Sequence, residues 1–158
     1  MGCDIHPYLE VKLGDEWLFV GRLVSFRNYT LFGKLSGVRR EEEPQFFPEE
    51  RRIPEDASCE LKVEWAGWEG DGHSITVCSY KELKKFCDLY RPKMKDLGKL
   101  ARSSNRKMLR MLRNVEEESQ WQDWWGAAGF TREWLEMMEQ LQEEAGASDV
   151  RVVLWYDN

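Results

Sequence analysis

Apolar and polar positions alternate from the start of the chain. Ile5, Pro7, Leu9 and Val11 interleave with Asp4, His6, Tyr8 and Glu10. Successive side chains of a strand point to opposite faces. The opening stretch therefore predicts a strand with one apolar face and one face carrying two acids, an imidazole and a phenol. Residues 3–13 and 17–23 read as two strands, and Gly14-Asp15 between them suits a tight hairpin turn. On the second strand Leu18 and Val20 share one face, with Trp17, Phe19 and Gly21 on the other.

The period then changes. Leu31, Phe32, Leu35 and Val38 follow helical spacing, with Asn28 or Thr30 placed to cap the start and Gly37 to end it. From Arg39 to Ala57, Pro44, Pro48, Pro54 and acidic runs predict a long loop anchored by Phe46 and Phe47. Ser58 to Trp65 predicts a short helix, the glycines of GWEGDGHS a turn, and Ile75-Thr76-Val77 a short extended piece. Ser79-Tyr80-Lys81-Glu82 matches a capping box and opens a helix to about Tyr90. After Pro92, residues Met94, Leu97, Ala101, Ser104, Met108, Met111 and Val115 trace an amphipathic stripe. A Trp-rich connection leads to Thr131, which caps a helix to about Ala145, with Trp134, Leu135, Met138 and Leu141 on its apolar face. The chain closes on DVRVVLWYDN, a β-branched and aromatic strand. The expected fold is a single domain over residues 1–158, α/β or α+β. In it the N-terminal hairpin and the C-terminal strand share one small sheet, with several helices between.

Composition narrows the class. A chain of 158 residues can bury a core without disulfides. The four cysteines, Cys3, Cys59, Cys78 and Cys87, form no Cys-x-x-Cys pair and read as reduced, largely buried thiols. There is no bilayer-spanning apolar run and no secretory leader pattern, so the expectation is a cytoplasmic protein without a membrane partner. Net charge is −6, yet residues 91–113 carry nine basic side chains against Asp96 alone, between two acidic stretches. That block reads as pairing with its acidic neighbours, and the acidic balance argues against duplex nucleic acid as a partner.

The chemistry available is limited by two histidines, His6 and His73, each set among acids and glycines. Three readings fit the spacing. Asp4, His6, Glu10 and His73 form an oxygen and nitrogen set suited to a divalent metal such as Zn²⁺ or Mn²⁺, and Cys3 with His6 and His73 with Cys78 form a zinc-like alternative. His6 and His73 are candidate catalytic residues that share a phosphodiester cleavage as base and acid, tuned by Asp4 or Asp71. The third is capture without reaction. Arg27 and Asn28 stand at a helix start, where free N–H groups favour anions. Arg51 or Arg52 closes over the ligand, Tyr8, Tyr29 or Trp68 stacks on a base, and Asp4, Tyr8, Glu10, Asp71, His73 and Ser74 supply polar contacts. The plainer alternative is that Arg27 pairs with a nearby acid and that the polar row is a solvated face. Phosphate-binding glycine loops, Gly-x-Ser-x-Gly and His-Glu-x-x-His are absent from the sequence.

Taken together, MGCDIH, RNYTLFGKLSGVR, DGHS and VRVVLWYDN resemble a set of small uncharacterised proteins carried by bacteriophages and prophages. The resemblance spans both ends and the middle of the chain. It implies a phage accessory protein in the cytoplasm of a bacterial host cell. Such proteins interfere with host defence by binding a host protein or by sequestering or degrading a nucleotide signal.

The leading expectation is a pocket for a small phosphate-bearing, nucleotide-like ligand. Its walls are Asp4, His6, Tyr8 and Glu10, the Arg27-Asn28-Tyr29 helix start, and Asp71, His73 and Ser74, with Arg51 as part of a lid. The alternatives are a phosphodiesterase-type hydrolase on the same residues, two-histidine or metal-dependent, and an acidic protein–protein inhibitor of a host defence protein. If residues 4–10 are central in the sheet, their polar row faces a cavity, a ligand or a partner.

Overall fold

The computed structural model describes residues 2–25, 27–39, 45–47, 52–68, 70–89 and 131–157. The expected helix after Pro92, the Trp-rich connection and Arg51 lie outside the described residues. Four strands, β1 (Ile5–Leu13), β2 (Glu16–Arg22), β3 (His73–Ser79) and β4 (Asp149–Tyr156), form one antiparallel sheet in the order β2-β1-β4-β3. The helices are α1 (Tyr29–Ser36), α2 (Cys59–Ala66), α3 (Tyr80–Leu89) and α4, described over 131–144. The mixed α/β class and the shared sheet of hairpin and terminal strand are as expected. No helix among the described residues is long and apolar enough to cross a membrane.

Local chemistry sets the element ends. Gly14-Asp15 forms the two-residue turn between Leu13 and its partner Glu16. Asn28, not Thr30, caps α1, its side chain accepting from the Leu31 N–H at 2.9 Å. The Ser79–Glu82 box closes reciprocally: the Ser79 N–H donates to Glu82 Oε2 at 3.0 Å and the Glu82 N–H to Ser79 Oγ at 3.3 Å. Strand β3 begins two residues earlier than the Ile75–Val77 piece read from sequence.

One departure from simple alternation matters for function. Phe19 lies opposite Glu10 and Gly21 opposite Leu9, so Val20 is an extra residue in β2. This bulge flips every later side chain to the other face. Gly21 therefore leaves the face of Trp17 and Phe19, contrary to the alternation expected, and Arg22 joins it. Gly21 sits at φ 149°, a backbone region that favours glycine.

Pro7, in a central strand, looks misplaced but is not. Its carbonyl accepts from the Leu23 N–H at 2.8 Å, so its missing donor faces the β2 side, where that ladder ends. The ladder to β4 runs unbroken from Ile5–Tyr156 to Lys12–Asp149.

Both faces of the sheet are covered. On one, Ile5, Leu9, Val11, Val150, Val152, Leu154 and Tyr156 pack against Leu31, Phe32 and Leu35 of α1, Leu83 and Phe86 of α3, and Trp134 and Met138 of α4. Phe47 is buried in this core with Phe46 beside it, which anchors the long loop as expected. On the other face, Tyr8, Val153, Trp155 and Ile75 pack against Ala57 and Leu61, with Trp65 and Trp68 beside them. Cys3 and Cys78 are buried and Cys59 is exposed; none of the four cysteines is in a disulfide.

Candidate functional site

Strand β1 is central, so its polar row lies under the second layer. Each member of that row has its own partner. Glu10, fully buried, accepts from Arg151 Nε at 2.8 Å, from the Ser58 N–H at 2.8 Å and from Ser58 Oγ at 2.6 Å. Arg151 reaches on to Asp56 at 2.9 Å and lies 3.8 Å under the Trp17 ring, which bonds the same Asp56 through Nε1. The Tyr8 hydroxyl donates to Glu64 Oε2 at 3.1 Å, and its ring stacks on Trp155 at 4.6 Å. Tyr8 and Glu10 thus bind the covering layer of their own chain. The expectation that they wall an open ligand pocket is corrected here, because α2 and the segment before it occupy that space.

His6 is only 4 % exposed and is held from both sides. Arg22, delivered by the bulge, donates from Nη2 to Nδ1 at 2.8 Å. An arginine has no lone pair to offer, so Nδ1 is the acceptor and Nε2 carries the proton. Nε2 then donates to Asp157 Oδ2 at 3.1 Å. Trp68 packs against the ring, centroids 4.1 Å apart. Burial pushes the imidazole pKa down, Arg22 adds to that, and Asp157 opposes it.

The two histidines do not converge. His6 lies on the Trp155 face and His73 stacks on Tyr156, the next residue of β4, which points the other way. The two-histidine acid–base pair is therefore not assembled, and neither is the set Asp4, His6, Glu10 and His73. Among the described residues no group of three or more His, Cys, Asp or Glu side chains is placed to hold a metal ion. Cys3 and His6, three apart on an extended chain, also fall on opposite faces.

A different convergence is present. At the end of the sheet where β1 starts, β4 finishes and β3 starts, separated stretches meet. Arg27 grips Asp4 with two bonds of 2.8 Å, both side chains about half exposed (49 % and 46 %). This is the plainer pairing the sequence allowed, and it holds the Asp4 carboxyl below its usual pKa. The Asp4 N–H donates to Asp157 Oδ1 at 2.6 Å, and the Asp157 N–H returns to the Asp4 carbonyl at 3.2 Å. The Cys3 N–H reaches the Tyr29 hydroxyl at 3.4 Å, and Arg39 bonds the Cys3 thiol, whose pKa burial nevertheless raises. Gly2 passes so close under Arg27 that a Cβ there would collide with the guanidinium. In the same cross-strand row Ile5 and His73 flank Tyr156. His73 Nδ1 is 3.0 Å from Ser74 Oγ, Ser74 has φ 52°, and His73 Nε2 is buried without a hydrogen-bond partner. Asp71 is exposed in the turn before β3.

Of the expected site residues, the structure brings Asp4, Arg27 and Tyr29 together at this end of the sheet, sets His6 against Asp157 on one face and His73 and Ser74 beside Tyr156 on the other, buries Asn28 as the cap of α1, and takes Tyr8 and Glu10 into the interior. Arg22, Asp157, Ser58 and Arg151 were not singled out as site residues by sequence, and Trp68, expected to stack on a base, packs on His6 instead. Their roles depend on the β1–β4 register and the bulge, which no local spacing encodes. No family model, curated protein or solved structure matches the chain.

Proposed function

We propose that the chain binds a small phosphate-bearing, nucleotide-like molecule at the Asp4–Arg27 end of the sheet. The observation that carries this reading is the meeting there of MGCDIH, RNY and the terminal YD in one polar cluster, with DGHS entering β3 at the same end of the sheet. Asp4 takes two of the five N–H groups a guanidinium offers. Arg27 thus keeps donors for a phosphate while Asp4 and Gly2 hold its orientation. Arg22 and Arg39 add positive charge nearby, and Tyr29, 37 % exposed, offers a ring for stacking. The pocket is narrower than the whole polar row, since His6 serves as a brace between Arg22 and Asp157. The resemblance to phage-borne proteins supports a role in holding a host defence signal.

Titration calorimetry with a panel of linear and cyclic nucleotides tests this. The expected result is saturable heat with at least one member, abolished by Arg27→Ala and weakened by His73→Ala. Intact nucleotide recovered after heat denaturation identifies capture rather than turnover. No heat across the panel, or unchanged affinity in Arg27→Ala, refutes the proposal.

A further inference from the structure

We infer that Ser74 is a nucleophile and His73 its general base, so that this end of the sheet attacks an activated phosphorus or acyl centre. The pair is made by an irregularity. Between His73 and Thr76 the β3–β4 register slips by one residue, and Ser74 takes a left-handed backbone conformation at φ 52°. A non-glycine residue held there persists only where its surroundings enforce it. The kink turns two sequence neighbours toward each other, with Oγ 3.0 Å from Nδ1, within reach for proton transfer.

The imidazole is fixed rather than loose. Its ring is stacked on the buried Tyr156, centroids 6.1 Å apart and planes 27° from parallel. Tyr156 is pinned in turn, its hydroxyl 3.0 Å from Ser36 Oγ. Both His73 and Ser74 are partly exposed, while His73 Nε2 is enclosed. When the hydroxyl donates to Nδ1, the ring hydrogen sits on Nε2.

The step balances without a further reagent. Ser74 Oγ forms a bond to phosphorus or carbonyl carbon, its proton passes to Nδ1, and the leaving group departs with the bonding pair. For an ester, Nδ1 then protonates the leaving oxygen. Water, deprotonated by the same nitrogen, afterwards releases Ser74. This chemistry sits at the same end of the sheet as the proposed ligand site but does not need that ligand to be a nucleotide.

A fluorophosphonate probe tests it directly, since attack expels fluoride and leaves a stable adduct. The expected result by intact mass and peptide mapping is one adduct, on Ser74. It should be absent in Ser74→Ala and form about 10²-fold more slowly in His73→Gln, the lower end of what a general base supplies. A circular-dichroism match to the parent shows that each variant is folded, and the mapping of the adduct on the parent stands even if a variant is not. No Ser74 adduct on folded parent protein, or an equal rate in folded His73→Gln, overturns the inference. Nucleotide heat with Ser74 unlabelled overturns this inference alone, and labelled Ser74 without nucleotide heat overturns only the binding proposal.

Discussion

Replacing Glu10 by Met removes the acceptor of three hydrogen bonds from a position with no solvent exposure. Two penalties follow. Arg151, with its side chain 9 % exposed, loses its buried counter-charge, and breaking one side of such a pair costs about 3–5 kcal/mol. The Ser58 N–H, buried at the start of α2, is left unpaired, which costs about 1–3 kcal/mol. The charge part should be relieved by also replacing Arg151 with Met, since a buried ion pair exchanged for apolar groups of similar volume is often neutral. The double variant should therefore recover most of the charge penalty and retain the Ser58 deficit of about 1–3 kcal/mol, together with the loss of the exposed Asp56 bond and the Trp17 stack. Urea unfolding followed by tryptophan fluorescence measures this. With a slope of about 2 kcal/mol per molar, the two penalties together, about 4–8 kcal/mol, lower the Glu10→Met midpoint by roughly 2–4 M. A loss under about 1 kcal/mol, or a double variant no more stable than Glu10→Met, would refute the reasoning that Glu10 serves the covering layer.

Two further outcomes follow from the same geometry. His6 has a folded pKa below its ordinary 6.5, so the unfolded chain binds more protons in the window beneath that value. Its stabilising contribution is fully present above pH 6.5 and is lost as pH falls toward the folded pKa. In His6→Gln, which can accept from Arg22 and donate to Asp157 without titrating, the fall of the unfolding midpoint below pH 6.5 should flatten; an unchanged slope counts against the brace. Gly2→Ala places a methyl where the Arg27 guanidinium lies. A flexible side-chain end can move, so the thermal midpoint should change little while nucleotide affinity drops; equal affinity would show that the guanidinium's place is immaterial.

The sequence made some of this legible and hid the rest for physical reasons. The hairpin, the Asn28 and Ser79 caps and the apolar stripe of α4 were readable because each is written within a few residues. Alternation also named Asp4, His6, Tyr8 and Glu10 as one polar row on β1. What it could not say was who faces that row. Glu10 meets Arg151 across 141 residues, and His6 meets Asp157 across 151. Val20, a residue any strand accepts, forms a bulge that only the partner strand reveals, and Arg22 owes its place to it. The separation of His6 from His73 has the same origin: both context and composition were alike, but Trp155 and Tyr156 point to opposite faces.

The adjacency of β1 and β4 at the centre of the sheet also sets the order of events during synthesis. Strand β1 ends at Leu13 and its inner neighbour starts at Asp149, 136 positions later. At 5–20 residues per second, the hairpin waits roughly 7–27 s before that neighbour exists. During that interval the β4-facing edge of β1 has no strand from β4 to pair with, and such edges recruit foreign strands. The buried carboxylate of Glu10 likewise has no Arg151. A ribosome that stalls before residue 149 therefore leaves a chain whose sheet is open through its middle, not frayed at its margin. Chaperone dependence and aggregation of nascent chains should rise for truncations just short of β4 and fall once Tyr156 has emerged.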